Sequence, residues 1–123
     1  MKSPHTGIKR ILKAFVYSYD GMKAAFKSEA AFRQDVLFCV LCLPLLWIFP
    51  VNAIQVGLMC FALIFILAME LVNTAVEAVV DRIGAEFHAL SKKAKDIGSA
   101  LVLLAFINWA IIWGGVVYML WVR

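Results

Sequence analysis

Motifs for metal sites, disulfide frameworks and nucleic-acid binding are missing from this chain of 123 residues. It has only three cysteines, and although Cys39 and Cys42 have the spacing of half a zinc site, there is no second pair and neither histidine is near them in sequence. We therefore expect three small apolar side chains and no disulfide. The twelve lysines and arginines are not accompanied by any zinc-finger, RNP or helix-turn-helix signature, so no nucleic-acid partner is expected.

Two further absences concern loops and leader segments. The sequence has no G-x-x-x-x-G-K-[ST] loop and no other glycine-rich phosphate loop, so any nucleotide site must be assembled in another way. The first 35 residues are basic and polar, without an apolar h-region or a small-residue cleavage site, so we expect no signal peptide.

Apolar side chains, in contrast, are in large excess. They make up 64 % of the residues, and the mean hydropathy is +0.90, whereas soluble domains are roughly 45–50 % apolar. A soluble domain of this length has too little interior to bury so much hydrocarbon. The composition therefore predicts a single all-α integral membrane domain over residues 1–123.

The apolar pattern predicts three membrane spans and one surface helix. Apolar residues recur every three or four positions in 8–27, with cations on the remaining face, which is typical of an amphipathic helix on a bilayer surface. A helix of a small soluble subdomain remains the alternative there. Residues 30–49, 54–83 and 97–122 are each long enough to cross about 30 Å of hydrocarbon, and residues 84–96 are expected to form a charged loop.

The distribution of the cations predicts the orientation of the chain. Eleven of the twelve lie before residue 36 or in and beside the 84–96 loop, and the 50–53 turn has none. Because short cytoplasmic segments carry the excess of Lys and Arg, the N-terminus and this loop are expected in the cytoplasm and the C-terminus outside.

A stripe of polar side chains lies near the end of the second span. Glu70, Asn73, Glu77 and Asp81 are three or four residues apart, so they share one helix face. Measured from Ile54 at 1.5 Å per residue, Glu70 lies about 24 Å along the span and Glu77 about 34 Å. Glu70 is therefore expected at the depth of a lipid headgroup hydroxyl, and Glu77 at the depth of a water-soluble cosubstrate.

These residue types suit phosphoryl transfer. Glu29 precedes the first span at the same predicted level as Glu77, and a pair of carboxylates with substrate phosphates is a common Mg²⁺ site. Nearby cations that could meet phosphate charge are Lys92, Lys93 and Lys95. Glu70 would serve as the base for a hydroxyl. Three other carboxylates are as readily explained as solvated or salt-bridged groups at helix ends: Asp20, Asp35 and Asp81.

The same residues carry a resemblance that covers nearly the whole chain. It rests on four segments: Arg10-Ile-Leu-Lys13-Ala14 with Tyr17-Ser18 and Gly21; Glu29-Ala-Ala-Phe-Arg33-Gln34; Glu70-Leu-Val-Asn73-Thr-Ala-Val-Glu77-Ala-Val-Val-Asp81-Arg-Ile-Gly84; and Lys93-Ala-Lys95-Asp96-Ile-Gly98-Ser99-Ala100. In this combination the chain resembles the prokaryotic diacylglycerol kinases.

The resemblance implies a homotrimeric helical bundle in the bacterial inner membrane, with a periplasmic C-terminus, that converts diacylglycerol and MgATP to phosphatidic acid and ADP. By similarity, Glu70 is the general base and Glu29 and Glu77 bind Mg²⁺. The implied nucleotide contacts, besides those two metal ligands, are Arg10, Tyr17, Glu86, His88, Lys95 and Asp96. Asn73 would support the site, and the implied lipid contacts, which include Arg10 and Glu70, are Ala14, Tyr19, Lys23, Phe26, Arg33, Gln34, Ser99 and Trp113.

Two alternatives remain open at the level of sequence. Ser28, Asp35 and the pair Lys92-Lys93 depart from the better-known pattern, and the lysine pair resembles relatives that phosphorylate undecaprenol. The context of Arg33, Gln34 and Asp35 favours diacylglycerol. A small pore or transporter subunit is opposed by position, because coupling carboxylates favour the middle of the bilayer, whereas these cluster at its predicted cytoplasmic edge.

Overall fold

A computed structural model describes residues 6–123 of the chain. The predicted domain and its N-terminal arm include residues 1–5, which lie outside the described residues. Within 6–123 every regular element is a helix: α1 (Gly7–Ser28), α2 (Ala30–Cys42), α3 (Leu45–Ile48), α4 (Ala53–Ile83) and α5 (Ala89–Trp121). Three segments are long and apolar enough to cross a membrane, namely Ala30–Ile48, Ala53–Ile83 and Ala89–Trp121. The prediction of an all-α chain with three such helices is confirmed.

Helix α1 lies against the rest of the chain mainly through its C-terminal part. Its contacts are with α2 and α4, and Ala25 is the residue that becomes buried. Large apolar side chains along the helix, such as Phe15 at 71 % exposure, are not covered by the chain itself. An uncovered apolar face is what a helix on a bilayer surface requires.

Helices α1 and α2 meet at a single non-helical residue. Glu29 has extended backbone angles (φ −115°, ψ 110°), so the chain changes direction there. The Arg33 guanidinium donates from Nη1 to the carbonyls of Phe26 (2.7 Å) and Lys27 (3.0 Å). Arg33 therefore fastens the last turn of α1, whose terminal carbonyls have no partner within that helix.

The first span is interrupted at Pro44. Helix α2 ends at Cys42, and the four-residue helix α3 resumes after Pro44, because proline lacks the N–H that would continue the ladder. The Asn52 side chain then starts α4 by accepting from the Gln55 N–H (2.9 Å), while the Gln55 side chain accepts from the Asn52 N–H (3.0 Å). This reciprocal cap accounts for the sharp turn between the first two spans.

Helix α5 begins earlier than the sequence predicted. It starts at Ala89, so the expected loop 84–96 is reduced to residues 84–88, and the charged segment that follows is helical. The His88 ring caps the helix, since its Nδ1 accepts from the Leu90 N–H (3.1 Å). Lys92 and Asp96 form an ion pair of 2.6 Å at i, i+4, a spacing that supports a helix.

Helices α4 and α5 run antiparallel and form the main packing interface. The buried core joins them to α2 and consists of Cys39, Cys42, Met59, Ala62, Leu63, Trp113 and Val116. The Trp113 indole N–H donates to the Met59 carbonyl (3.1 Å), which fixes the register of the two long helices at this end. The polar stripe of α4 lies toward the other end.

Candidate functional site

The polar stripe of α4 passes from buried to exposed along the helix. Glu70 is 5 % exposed and Asn73 is 8 % exposed, Glu77 is half-buried, and Asp81 is exposed. Helices of the same chain therefore cover the first two residues of the stripe.

Glu70 faces a second carboxyl group, that of Asp35 on α2. Within residues 6–123, Asp35 Oδ2 is fully buried and has no hydrogen-bond partner, and neither residue forms an ion pair. Sequence reasoning treated Asp35 as a solvated or salt-bridged residue at a helix end, and the structure corrects this. The sequence itself could have indicated a role for Asp35, because an ionisable residue inside a predicted span marks a functional site by default.

Asn73 contacts both the Glu77 carboxylate on its own helix and the facing helix α5. Its Nδ2 donates to Glu77 Oε1 (3.4 Å), one turn along the same helix. Its Oδ1 side packs directly against the backbone of Gly98 on α5. Asn73 is thus held between the Glu77 carboxylate and the facing helix.

An apolar groove opens about one helical turn from the two facing carboxyl groups, neither of which lines it. It has a volume of about 560 Å³ and is lined by Tyr19, Met22, Lys23, Phe26, Lys27, Phe32, Val36 and Leu67. Leu67 precedes Glu70 by three residues and Phe32 precedes Asp35 by three, so each shares a helix face with a carboxyl group. The groove therefore runs from α1 to the neighbourhood of Glu70.

The groove brings together three of the expected lipid contacts and omits the others. Tyr19, Lys23 and Phe26 line it, whereas Met22, Lys27, Phe32, Val36 and Leu67 were not foreseen. Sequence reasoning missed these five because their places on α1, α2 and α4 converge only in the packed chain. The expected contacts that do not line the groove are Arg10, Ala14, Arg33, Gln34, Glu70, Asn73, Ser99 and Trp113.

Trp113 lies far from this groove. It is 4 % exposed in the core and donates to the carbonyl of Met59, which is eleven residues before Glu70 on α4. At 1.5 Å per residue the two levels differ by about 16 Å along the helix. Within one chain, Trp113 packs the opposite half of the bundle.

A polar pocket of about 360 Å³ lies where α4 joins α5. Its lining includes four of the expected nucleotide contacts: Glu86, His88, Lys95 and Asp96. Lys95 forms an ion pair of 2.6 Å with Asp81, and Lys92, which also lines the pocket, pairs with Asp96. Two cations are therefore positioned at the pocket by carboxylates of the same chain.

The remaining expected residues are placed elsewhere. Arg10 and Tyr17 lie exposed on α1 and do not line the polar pocket. Glu29 and Glu77 are both half-buried, and each accepts one long hydrogen bond, from Ser28 (3.5 Å) and Asn73 (3.4 Å) respectively. In the part of the chain that the structure describes, no three His, Cys, Asp or Glu side chains cluster as a ready-made metal site.

Comparison with known proteins places this architecture in a family. The model of the prokaryotic diacylglycerol kinase family matches residues 16–117. The diacylglycerol kinase of Haemophilus influenzae is 42 % identical over 113 residues, which cover 92 % of this chain and 96 % of that protein. The diacylglycerol kinase of Escherichia coli K12 is 44 % identical over 113 residues, with 92 % and 93 % covered.

A third relative carries the same name as the first two. The diacylglycerol kinase of Pseudomonas aeruginosa is 46 % identical over 111 residues, covering 87 % of this chain and 90 % of that protein. The match includes the facing carboxyl groups, the apolar groove and the polar pocket, since all lie within the matched residues. The chain therefore belongs to the prokaryotic diacylglycerol kinase family, and it is a membrane-spanning lipid kinase that uses a nucleotide cosubstrate.

Proposed function

We propose that this chain transfers the γ-phosphoryl group of ATP to the free hydroxyl of diacylglycerol, forming phosphatidic acid and ADP. The observation that carries the proposal is Glu70, a buried carboxyl group about one helical turn from Leu67, which lines the apolar groove. A lipid whose acyl chains occupy that groove presents its hydroxyl toward Glu70. An acidic group in such a place is expensive to bury and is retained for chemistry.

Glu70 acts as the general base in this proposal. Its carboxylate accepts the proton of the lipid hydroxyl as the hydroxyl oxygen forms a bond to the γ-phosphorus of ATP. The bond from that phosphorus to the oxygen bridging the β- and γ-phosphates breaks, and ADP leaves with the electron pair. Positioning and electrostatic stabilisation supply most of the acceleration in phosphoryl transfer, so one base and a few cations suffice.

The groove supplies the lipid contacts. Tyr19 and Phe26 offer apolar surface to the acyl chains, and the Lys23 amine lies at the end of an apolar stem. Ala14, Gln34 and Ser99 are exposed and would contact lipid outside the groove, and Arg33 shapes the groove by fixing the end of α1.

The polar pocket between α4 and α5 supplies the nucleotide site. Lys95 and Asp96, with Glu86 and His88, would bind ATP there. Glu77 lies on α4 between this pocket and Glu70, so the triphosphate would extend along the stripe toward the buried end. Arg10 and Tyr17 would reach the nucleotide from α1.

Glu29 and Glu77 are the residues that would bind Mg²⁺. Hard oxygen donors suit this ion, which commonly uses one or two carboxylates and completes its coordination with phosphate oxygens and water. Each carboxylate accepts only one long hydrogen bond within residues 6–123, so both keep lone pairs for a cation. Bound Mg²⁺ would neutralise charge on the phosphates.

The proposed setting is the bacterial inner membrane, with the site at its cytoplasmic face. The basic helix α1 and the lysines at the start of α5 flank the polar end of the bundle, and short basic segments stay on the cytoplasmic side. The C-terminus, at the other end of α5, would then be periplasmic. A homotrimer of the chain completes the proposal.

Replacing Glu70 tests the chemistry. Purified protein in lipid micelles should transfer labelled γ-phosphate from ATP to diacylglycerol when Mg²⁺ is present, and Glu70→Gln should lower kcat by about 10² to 10⁴, the usual contribution of a general base. Asp20→Asn, which removes an exposed carboxylate on α1, is the matched control and should keep the rate. Full turnover by Glu70→Gln would exclude Glu70 as the base.

The acceptor is tested by a parallel assay with undecaprenol. Diacylglycerol is expected to be the better substrate by kcat/KM, and a large preference for the polyprenol would replace the proposed acceptor while leaving the chemistry unchanged. Proton flux through reconstituted vesicles without ATP, together with no transfer to either lipid, would favour the pore alternative.

A further inference from the structure

Gly98 occupies a position where glycine is unexpected. It lies inside the long helix α5, where glycine is disfavoured relative to alanine, and it is buried. A methyl group at this position would overlap Asn73 Oδ1 on the facing helix and lie 3.3 Å from Asn73 Cγ. The absence of a side chain at Gly98 is therefore what admits the Asn73 amide.

This contact is specific to one glycine. A methyl group at Gly21, Gly57, Gly114 or Gly115, which also lie in helices, would meet no atom within 4 Å among the described residues. The close contact at Gly98 is therefore local and does not reflect a close approach of α4 and α5 along their whole length. It coincides with the one asparagine of the polar stripe.

The Asn73 side chain is constrained at both ends. Its Oδ1 is fully buried against Gly98 and has no hydrogen-bond partner within residues 6–123, while its Nδ2 donates to Glu77 Oε1 (3.4 Å). Because the amide is planar, a displacement of Oδ1 also moves Nδ2. A group that filled the space at Gly98 would therefore turn the donor away from Glu77.

We propose that Gly98 is a positioning residue, which fixes the Asn73 amide so that it orients the Glu77 carboxylate. The inference rests on the proposed function, in which Glu77 binds Mg²⁺. Hydrogen-bond partners that orient a metal ligand typically contribute 10–100-fold to metal affinity or activity. Gly98 would exert this effect although it touches neither substrate.

Gly98→Ala is the first test. The Mg²⁺ concentration that gives half the maximal rate should rise by about 10–100-fold, with a smaller fall in kcat at saturating Mg²⁺. Gly114→Ala, in the same helix but facing open space, is the matched control and should leave both values unchanged. An unaltered Mg²⁺ requirement in Gly98→Ala would overturn the proposal.

A second readout does not depend on turnover. The chain has three asparagines, Asn52, Asn73 and Asn108, so selective ¹⁵N labelling gives three pairs of side-chain amide signals that single variants can assign. Gly98→Ala should shift the Asn73 pair and leave the Asn52 pair in place. If the Asn73 pair does not move, the contact does not position this amide.

A double variant separates positioning from general damage. In an Asn73→Ala background the overlapping atom is gone, so adding Gly98→Ala should change the Mg²⁺ requirement by less than twofold. If Gly98→Ala alone fails to fold, the double variant should fold, and additive losses or a misfolded double variant would overturn the inference. Failure of the proposed function would appear differently, as no lipid phosphorylation by the wild type, and the amide signals would still report on the contact.

Discussion

Asp35 and Glu70 bring two acidic groups together, and neither forms an ion pair within residues 6–123. Two carboxylates that share a buried site disfavour each other's charged form, and an oxygen without a hydrogen-bond partner adds a cost of its own. The paired carboxyl groups therefore lower the stability of the fold at the site of the proposed proton transfer. Such a conflict is expected where chemistry determines the residue types.

Asp35→Asn should stabilise the fold. The amide removes one acidic group and supplies an N–H that can donate to Glu70, so the free energy of unfolding should rise by about 1–2 kcal/mol. The measurement is the SDS mole fraction at the midpoint of unfolding, followed by circular dichroism. Asp20→Asn serves again as the exposed control. A midpoint lower than that of the wild type would show that the two carboxyl groups stabilise each other.

The junction of α1 and α2 is the element on which the groove depends. Groove residues come from the last three turns of α1, from the first half of α2 and, in the case of Leu67, from α4. Helices α1 and α2 are separated by Glu29 alone. Arg33 donates back to the carbonyls of Phe26 and Lys27, so one side chain of α2 holds the end of α1. The sequence assigned Arg33 to the lipid, and its contact within the chain is with the backbone.

Arg33→Ala should loosen the end of α1. Loss of both hydrogen bonds at this exposed site should cost about 1 kcal/mol, which corresponds to roughly fivefold faster hydrogen exchange at the last α1 amides and at the Glu29 N–H. Hydrogen exchange with mass analysis of the peptide that covers residues 24–30 measures this. Arg82→Ala, at the exposed end of α4, is the matched control. Unchanged exchange in Arg33→Ala would mean that packing alone fixes the junction.

The start of α5 shows how a charged segment can be misread. Residues 89–96 were predicted as loop because charge marked the end of the apolar run. Ala, Leu and Lys are good helix formers, however, and the Lys92–Asp96 pair has helical spacing. The extra two turns carry Lys95 to Asp81 and so form one wall of the polar pocket.

At the scale of the whole molecule, one chain encloses only part of the proposed site. It buries Glu70 and Asn73, leaves Glu77 half-buried, and places the expected nucleotide contacts Arg10 and Tyr17 outside the polar pocket. The outer faces of the helices carry many exposed apolar side chains. Lipid can cover apolar faces, but a half-open polar stripe needs protein or water beside it.

The homotrimer that the resemblance implies would supply protein beside the half-open stripe. Native mass spectrometry from lipid micelles should give three times the 13.7 kDa of one chain, and cross-linking in membranes should stop at the trimer. Glu70→Gln should assemble in the same way, because that carboxyl group is covered within its own chain. A fully active monomer would contradict this expectation.

The sequence by itself determined the helical class, the three spans and the placement of a carboxylate stripe near one end of the second span. Hydrophobic length and helical period are local properties, so they can be counted along the chain. The resemblance to the lipid kinases was equally local, because it rests on residue types at fixed spacings.

Only the tertiary structure decided which side chains meet across helices. The pairing of Asp35 with Glu70, the overlap of the Gly98 position with Asn73, and the convergence of α1, α2 and α4 on the groove all join residues that are distant in sequence. A helical period gives the face of each helix but not its register or rotation against a neighbour. Register and rotation are set by how the buried side chains of both helices pack together. That packing cannot be read from the order of residue types along one sequence.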